Sequence, residues 1–153
     1  MFKKILDQLS EPILIGGKVL EKYKIRKSTD WDFLISDSDF KKLSKKYNAR
    51  TLNDGAKVIT IPLGGTAANH IDLYLTSCGK KYTYKKMYAN SCKIGNIRIL
   101  SLMQLIEYYY NLKEHFNKML KKYTEYKKLY SKAKKDETLV GNFYHKTMNK
   151  LLK

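Results

Sequence analysis

The sequence predicts an α/β (α+β) protein, with a small mixed β-sheet core and flanking helices over residues 1–100 and a C-terminal helical bundle over 101–153. Three observations carry that expectation. Short apolar runs rich in β-favouring residues alternate with turn residues through the first part of the chain. Amphipathic, lysine-bearing segments stand between those runs. Neither Gly nor Pro interrupts the stretch from Ser101 to Lys135.

Taken in order, residues 2 to 9 place Phe2, Ile5, Leu6 and Leu9 on one face and predict a short helix that Pro12 ends. "ILIGG" reads as a short strand running into Gly16 and Gly17. "KVLEKYKI" predicts a helix with Val19, Leu20 and Tyr23 on one side. "TDWDFLIS" predicts a strand, and "DSDFKKLSKKY" a basic helix whose leading aspartate and serine suit an N-cap. "AKVITIPL" and "HIDLYLT", joined by "GGTAAN", predict an antiparallel hairpin; "SCKIGNIRIL" predicts another around Gly95-Asn96. Apolar and tyrosine positions then recur at three- and four-residue steps from Leu102 to Ala133, as one long helix or two, and a final helix runs from Thr138 to Leu152. The two parts are expected to pack as one body, which suits a chain of 153 residues.

No run approaches the ~20 apolar residues of a membrane span, and the start carries no signal-peptide pattern. Cys78 and Cys92 are too few for a disulfide framework or a zinc site, so free thiols in the cytoplasm are expected. The charge is distinctive: 31 Lys+Arg against 14 Asp+Glu leave +17, mostly from lysine. Such an excess repels itself and attracts polyanions, so nucleic acid is the expected partner; drift in a lysine-, tyrosine- and asparagine-rich composition is the competing account. The lysines between Lys113 and Lys135 fit either a solvated helix side or a phosphate-binding one.

Against that basic background, Asp30 and Asp32 flank Trp31 at the mouth of an apolar strand. On a strand, residues two apart share a side about 6.5 Å apart, and two carboxylates there repel by roughly 2.5 kcal/mol. Hydration or a cation must offset that cost, and oxygen-only clusters suit Mg²⁺. Asp72 stands in the middle of another apolar run, "NHIDLYLT", where a lone charge is expensive. If the two strands are neighbours, three carboxylates converge and could hold two divalent ions. Gly16 and Gly17, without Cβ atoms, would let backbone N–H groups approach phosphate oxygens. His70 lies two residues from Asp72 on the same side; a turn-edge histidine is the simpler reading. Trp31 points the other way and is expected in the core, and His115 and His145 are given no chemistry.

Gly-Gly after an apolar strand, "RKSTDWDFLIS" after a helix, and "HIDLYL" later resemble the nucleotidyltransferase superfamily with the DNA polymerase beta-like fold, over about residues 5 to 76. More loosely, "IRILSLMQLIEYYYNLK" is similar to the start of the C-terminal bundle in abortive-infection-type nucleotidyltransferase toxins, and Lys135 and Asp136 in "KAKKDETLV" to an element that follows it there. The resemblance implies that Gly16 and Gly17 form a phosphate-cradling turn. It implies that Asp30, Asp32 and Asp72 bind two Mg²⁺ ions, with Asp72 helping to activate the acceptor hydroxyl. Arg26, Lys27, Ser28 and Thr29 would lie near the nucleotide. Gly17 stands where many members have Ser, the spacer to Asp30 is long, and Tyr108 to Tyr110 replace a lysine frequent in the toxins.

The implied reaction is template-independent transfer of a nucleoside monophosphate from a nucleoside triphosphate such as ATP to an acceptor hydroxyl, with RNA or tRNA favoured by charge. A small-molecule or protein acceptor is the first alternative, and a basic nucleic-acid-binding protein without catalysis the second. A protein antitoxin is a further conceivable partner, and no membrane is involved.

Overall fold

The computed structural model describes residues 1–22, 27–66 and 69–111. Among these, one seven-stranded mixed sheet organises the molecule, its strands in the spatial order 49–51, 57–62, 70–74, 31–34, 13–15, 97–100 and 91–94. The expected continuation of the long helix, the final helix, Lys135, Asp136, His115 and His145 lie outside the described residues, as do Tyr23, Lys24, Arg26, Ala67 and Ala68.

The chain begins with α1 (Phe2–Leu6), shorter than the predicted helix, since turns follow it before Pro12. β1 (Ile13–Ile15) is wholly buried and leads through Gly16 into α2 (Gly17–Lys22). β2 (Trp31–Leu34) pairs antiparallel with β1. The Ser36 hydroxyl caps α3 (Asp37–Ser44), accepting from the Asp39 backbone N–H at 3.3 Å. The cap falls one residue before the expected start, and Asp37 and Asp39 occupy the first turn, where negative charge is favourable.

β3 (Ala49–Thr51), β4 (Lys57–Pro62) and β5 (His70–Tyr74) form an antiparallel run that includes the anticipated hairpin. A small two-stranded ribbon, β6 (Thr76–Ser77) with β7 (Tyr82–Thr83), and the short α4 (Tyr84–Tyr88) follow. β8 (Ser91–Ile94) and β9 (Ile97–Leu100) make the second hairpin; Gly95, at φ 62°, leads its two-residue loop in a conformation that an L side chain resists. α5 (Leu102–Asn111) closes the described chain.

Alternation divides the side chains of β2 and β5. Trp31, Phe33, Ile71 and Leu73 point to one side, where Phe2 of α1 packs its ring 4.7 Å from Trp31. Phe33, Ile71 and Leu73 are fully buried, and Trp31 packs against this core as expected. α5 is anchored by Leu105 and Tyr108, whose hydroxyl shares a 2.7 Å hydrogen bond with Ser77. The opposite side of β2 and β5 carries acidic groups.

Candidate functional site: paired carboxylates on adjacent strands

β2 and β5 run parallel and place Asp32 directly opposite Asp72. Matched residues on neighbouring strands share a side of the sheet with backbones about 4.8 Å apart, so the two carboxylates rise from one face. The register follows from the apolar alternation: a shift by one residue would turn Phe33 and Leu73 out of the core. Burying the apolar face therefore forces the acidic pair together on the other.

Asp72 is 8% exposed. One of its oxygens, Oδ1, accepts a short hydrogen bond from the Thr60 hydroxyl on β4, and Oδ2 lies 3.4 Å from His70 Nε2. Thr60 stands opposite Asp72 in the antiparallel register, and its own oxygen accepts from Arg50 Nη2 at 3.4 Å. Thus His70, assigned to the turn edge by the simpler sequence reading, touches the acidic pair. Tyr74, two residues beyond Asp72, completes that row; burial and the charges of Asp32 and Asp72 raise its hydroxyl pKa well above the ordinary value.

Asp32 is half-buried and is the most perturbed acid of the set. Burial pushes its carboxyl up to about 7, the charges of Asp72 and Asp30 push the same way, and His70 acts in the opposite direction. At neutral pH the site thus holds a fractional proton, and one positive charge nearby would release it.

Asp30 precedes β2 rather than lying within it, because strand pairing begins at Trp31 and Ile71. It is exposed, and its Oδ1 accepts from the Thr29 hydroxyl at 3.1 Å. Hydration removes most of the repulsion expected for two strand carboxylates, while the field of Asp30 still reaches Asp32. Among the described residues no group of three His, Cys, Asp or Glu gathers closely enough to form a metal cluster. The described structure therefore brings Asp32 and Asp72 together, with His70 beside them, and leaves Asp30 at the rim. Carboxylate oxygens are nevertheless the donors that Mg²⁺ takes, and Asp32 and Asp72, in register on one side of the sheet, supply them.

The glycine turn closes the site from β1. Gly16 sits at φ 71°, and a Cβ built there would collide with Asp32 Oδ2. Its position opposite the carboxylate follows from the Ile15–Asp32 register. Gly17 is buried at the start of α2. Of the other expected nucleotide-binding residues, Ser28 donates its backbone N–H to Glu21 Oε2 at 3.2 Å, Thr29 faces Asp30, and Lys27 is exposed. Glu21 also holds Lys18 at 2.8 Å, and the Lys18 ammonium lies 4.9 Å from the centre of the Trp31 ring, a side chain on the sheet face opposite Asp32.

Sequence reasoning missed Thr60 and Arg50. Thr60 is a polar residue inside the apolar run "VITIP", but threonine is at home in any strand and raises no flag.

No protein-family model, no curated protein and no solved structure matches this chain. Among the described residues, no helix is long and apolar enough to cross a membrane.

Proposed function

We propose that this chain is a metal-dependent, template-independent nucleotidyltransferase with a DNA polymerase beta-like core and a C-terminal helical region, acting in the cytoplasm on RNA or tRNA. The observation that carries the reading is the in-register pairing of Asp32 with Asp72 on one face of the sheet, next to a glycine turn that touches the same carboxylate.

In this reading the acceptor oxygen attacks the α-phosphorus of a nucleoside triphosphate, the bond to the bridging oxygen breaks, and pyrophosphate departs with that oxygen. The acceptor's proton passes to the Asp72 carboxylate as the hydroxyl attacks. Asp30, Asp32 and Asp72 would hold Mg²⁺, which supplies positive charge for the phosphates and acidifies the acceptor hydroxyl. Gly16 keeps backbone, rather than a side chain, beside the carboxylate, leaving room for phosphate oxygens. Lys27, Ser28 and Thr29 line the approach to Asp30. The charge of +17 favours an RNA acceptor, because each neutralised phosphate releases counterions.

The test is incubation of the full chain with each of the four α-labelled triphosphates, Mg²⁺ and a mixed RNA pool. Label in RNA that disappears with Asp32→Asn and Asp72→Asn supports the reading. Label appearing in a small molecule or protein instead moves the acceptor. No transfer to any acceptor, with triphosphate binding indifferent to Mg²⁺, overturns it.

A further inference from the structure

If the acidic pair works as proposed, the orientation of Asp72 becomes decisive, and the structure shows what sets it. A carboxylate on a strand can rotate about its terminal bond, so a metal-binding geometry must be held by a neighbour. Here the Thr60 hydroxyl donates to Oδ1 of Asp72 across the β4–β5 ladder, and Arg50 of the outer strand donates to Thr60. His70 stands 3.4 Å from Oδ2, the same distance as Arg50 Nη2 from the Thr60 oxygen; both are longer than an ordinary N–H···O hydrogen bond and restrain less tightly than the Thr60 hydroxyl does.

We infer that Thr60 is the positioning residue of Asp72, and that Arg50 acts from the edge strand to orient the Thr60 hydroxyl. The assignment rests on the proposed metal-dependent reading of the site and adds to it two residues on strands that supply no carboxylate. Its chemical content is specific. With its proton committed to Oδ1, the Thr60 hydroxyl leaves Oδ2, which lies against His70, as the oxygen of Asp72 that a cation would take. Arg50, 3.4 Å away on the acceptor side of the hydroxyl, adds a weaker bias of the same proton toward Asp72. Neither residue touches the reacting atoms.

Mn²⁺ binding to the full chain, followed by electron paramagnetic resonance at pH 8, tests this without knowledge of the acceptor. Thr60→Val keeps the shape and removes the hydroxyl; Thr60→Ser keeps the hydroxyl and removes the methyl group. Losses typical of outer-sphere partners predict about tenfold weaker Mn²⁺ binding for Thr60→Val and recovery to within about threefold in Thr60→Ser. Arg50→Gln should weaken binding by about threefold, and it gives an independent answer if Thr60→Val does not fold. Equal weakening by Val and Ser would assign the effect to packing and overturn the inference, as would wild-type affinity in Thr60→Val and Arg50→Gln. A folded wild-type protein that takes up no Mn²⁺ overturns the metal-dependent reading itself, and this inference with it. Wild-type binding abolished by Asp72→Asn but unmoved by Thr60→Val overturns the inference alone.

Discussion

Two acidic positions beside the same sheet are built in opposite ways. Near the β9–β8 end, the Glu11 carboxylate accepts from the Tyr88 hydroxyl at 2.8 Å and lies 3.2 Å from Lys93 and 3.6 Å from Arg98. Those partners, Tyr88 first and Lys93 next, hold its pKa below the ordinary value. Arg98 is itself fixed, stacked 3.8 Å from the centre of the Tyr88 ring and donating to Ser91. In the middle of the sheet, Asp32 faces Asp72 and is raised to about 7. Among the described residues, Lys93 and Arg98 stand beside Glu11, whereas at the Asp32–Asp72 pair it is His70 that lies 3.4 Å from Asp72 Oδ2. That contrast separates an acid paired with cations from one raised by burial and by a neighbouring acid, the pattern expected of a functional carboxylate under the proposed reading.

The largest effect expected from breaking the contrast is on activity. Asp32→Asn or Asp72→Asn should lower nucleotide transfer by about 10³-fold or more, equivalent to about 4 kcal/mol of transition-state stabilisation, whereas Glu11→Gln should leave the rate per folded molecule near wild type. Radiolabel transfer rates check both.

Stability should move in the other direction. The folded-state pKa of Asp32 lies above the ordinary 3.8, so its contribution to stability is present below about pH 4 and lost as pH rises through about 7. Asp32→Asn should therefore stabilise the protein at pH 8 by on the order of 3 kcal/mol, with the gain fading toward pH 4. Urea unfolding across that range, with and without Mg²⁺, measures it; Mg²⁺ should narrow the gap at pH 8.

Gly16→Ala sharpens the comparison from the backbone side. The new methyl group meets Asp32 Oδ2 at a φ that favours glycine, and the variant should lose about 2 kcal/mol in urea unfolding along with Mn²⁺ binding. The smallest effect belongs to Glu11→Gln. The lowered pKa of Glu11 gives stability that is present above its unfolded value of 4.5 and disappears as pH falls through the folded value. The variant should melt slightly below wild type at neutral pH and match it in acid, as thermal unfolding at the two pH values would show.

Much of this arrangement was legible in the sequence because burial forced it. Phe33 and Leu73 fix the phase of β2 and β5, so an aspartate interrupting each run emerges on the opposite side of the sheet. Gly95-Asn96 announced its hairpin through turn chemistry. Less visible were β3, whose three residues are all exposed and carry no alternation, and α4, whose five residues bury only Met87. The position of Asp30 outside β2 was hidden because strand ends depend on where pairing stops. Thr60 and Arg50 became meaningful only once strand order put β4 between β3 and β5.

The central claim is that burial, and after it the facing Asp72 carboxylate, holds Asp32 near neutrality. Carbon-detected NMR titration of the Asp32 carboxyl group tests it most directly. The account predicts a midpoint near 7 in the wild type, falling partway in Asp72→Asn, where burial remains, and falling on addition of Mg²⁺ to the wild type. A midpoint near 3.8 in the wild type, unmoved by either change, would contradict it.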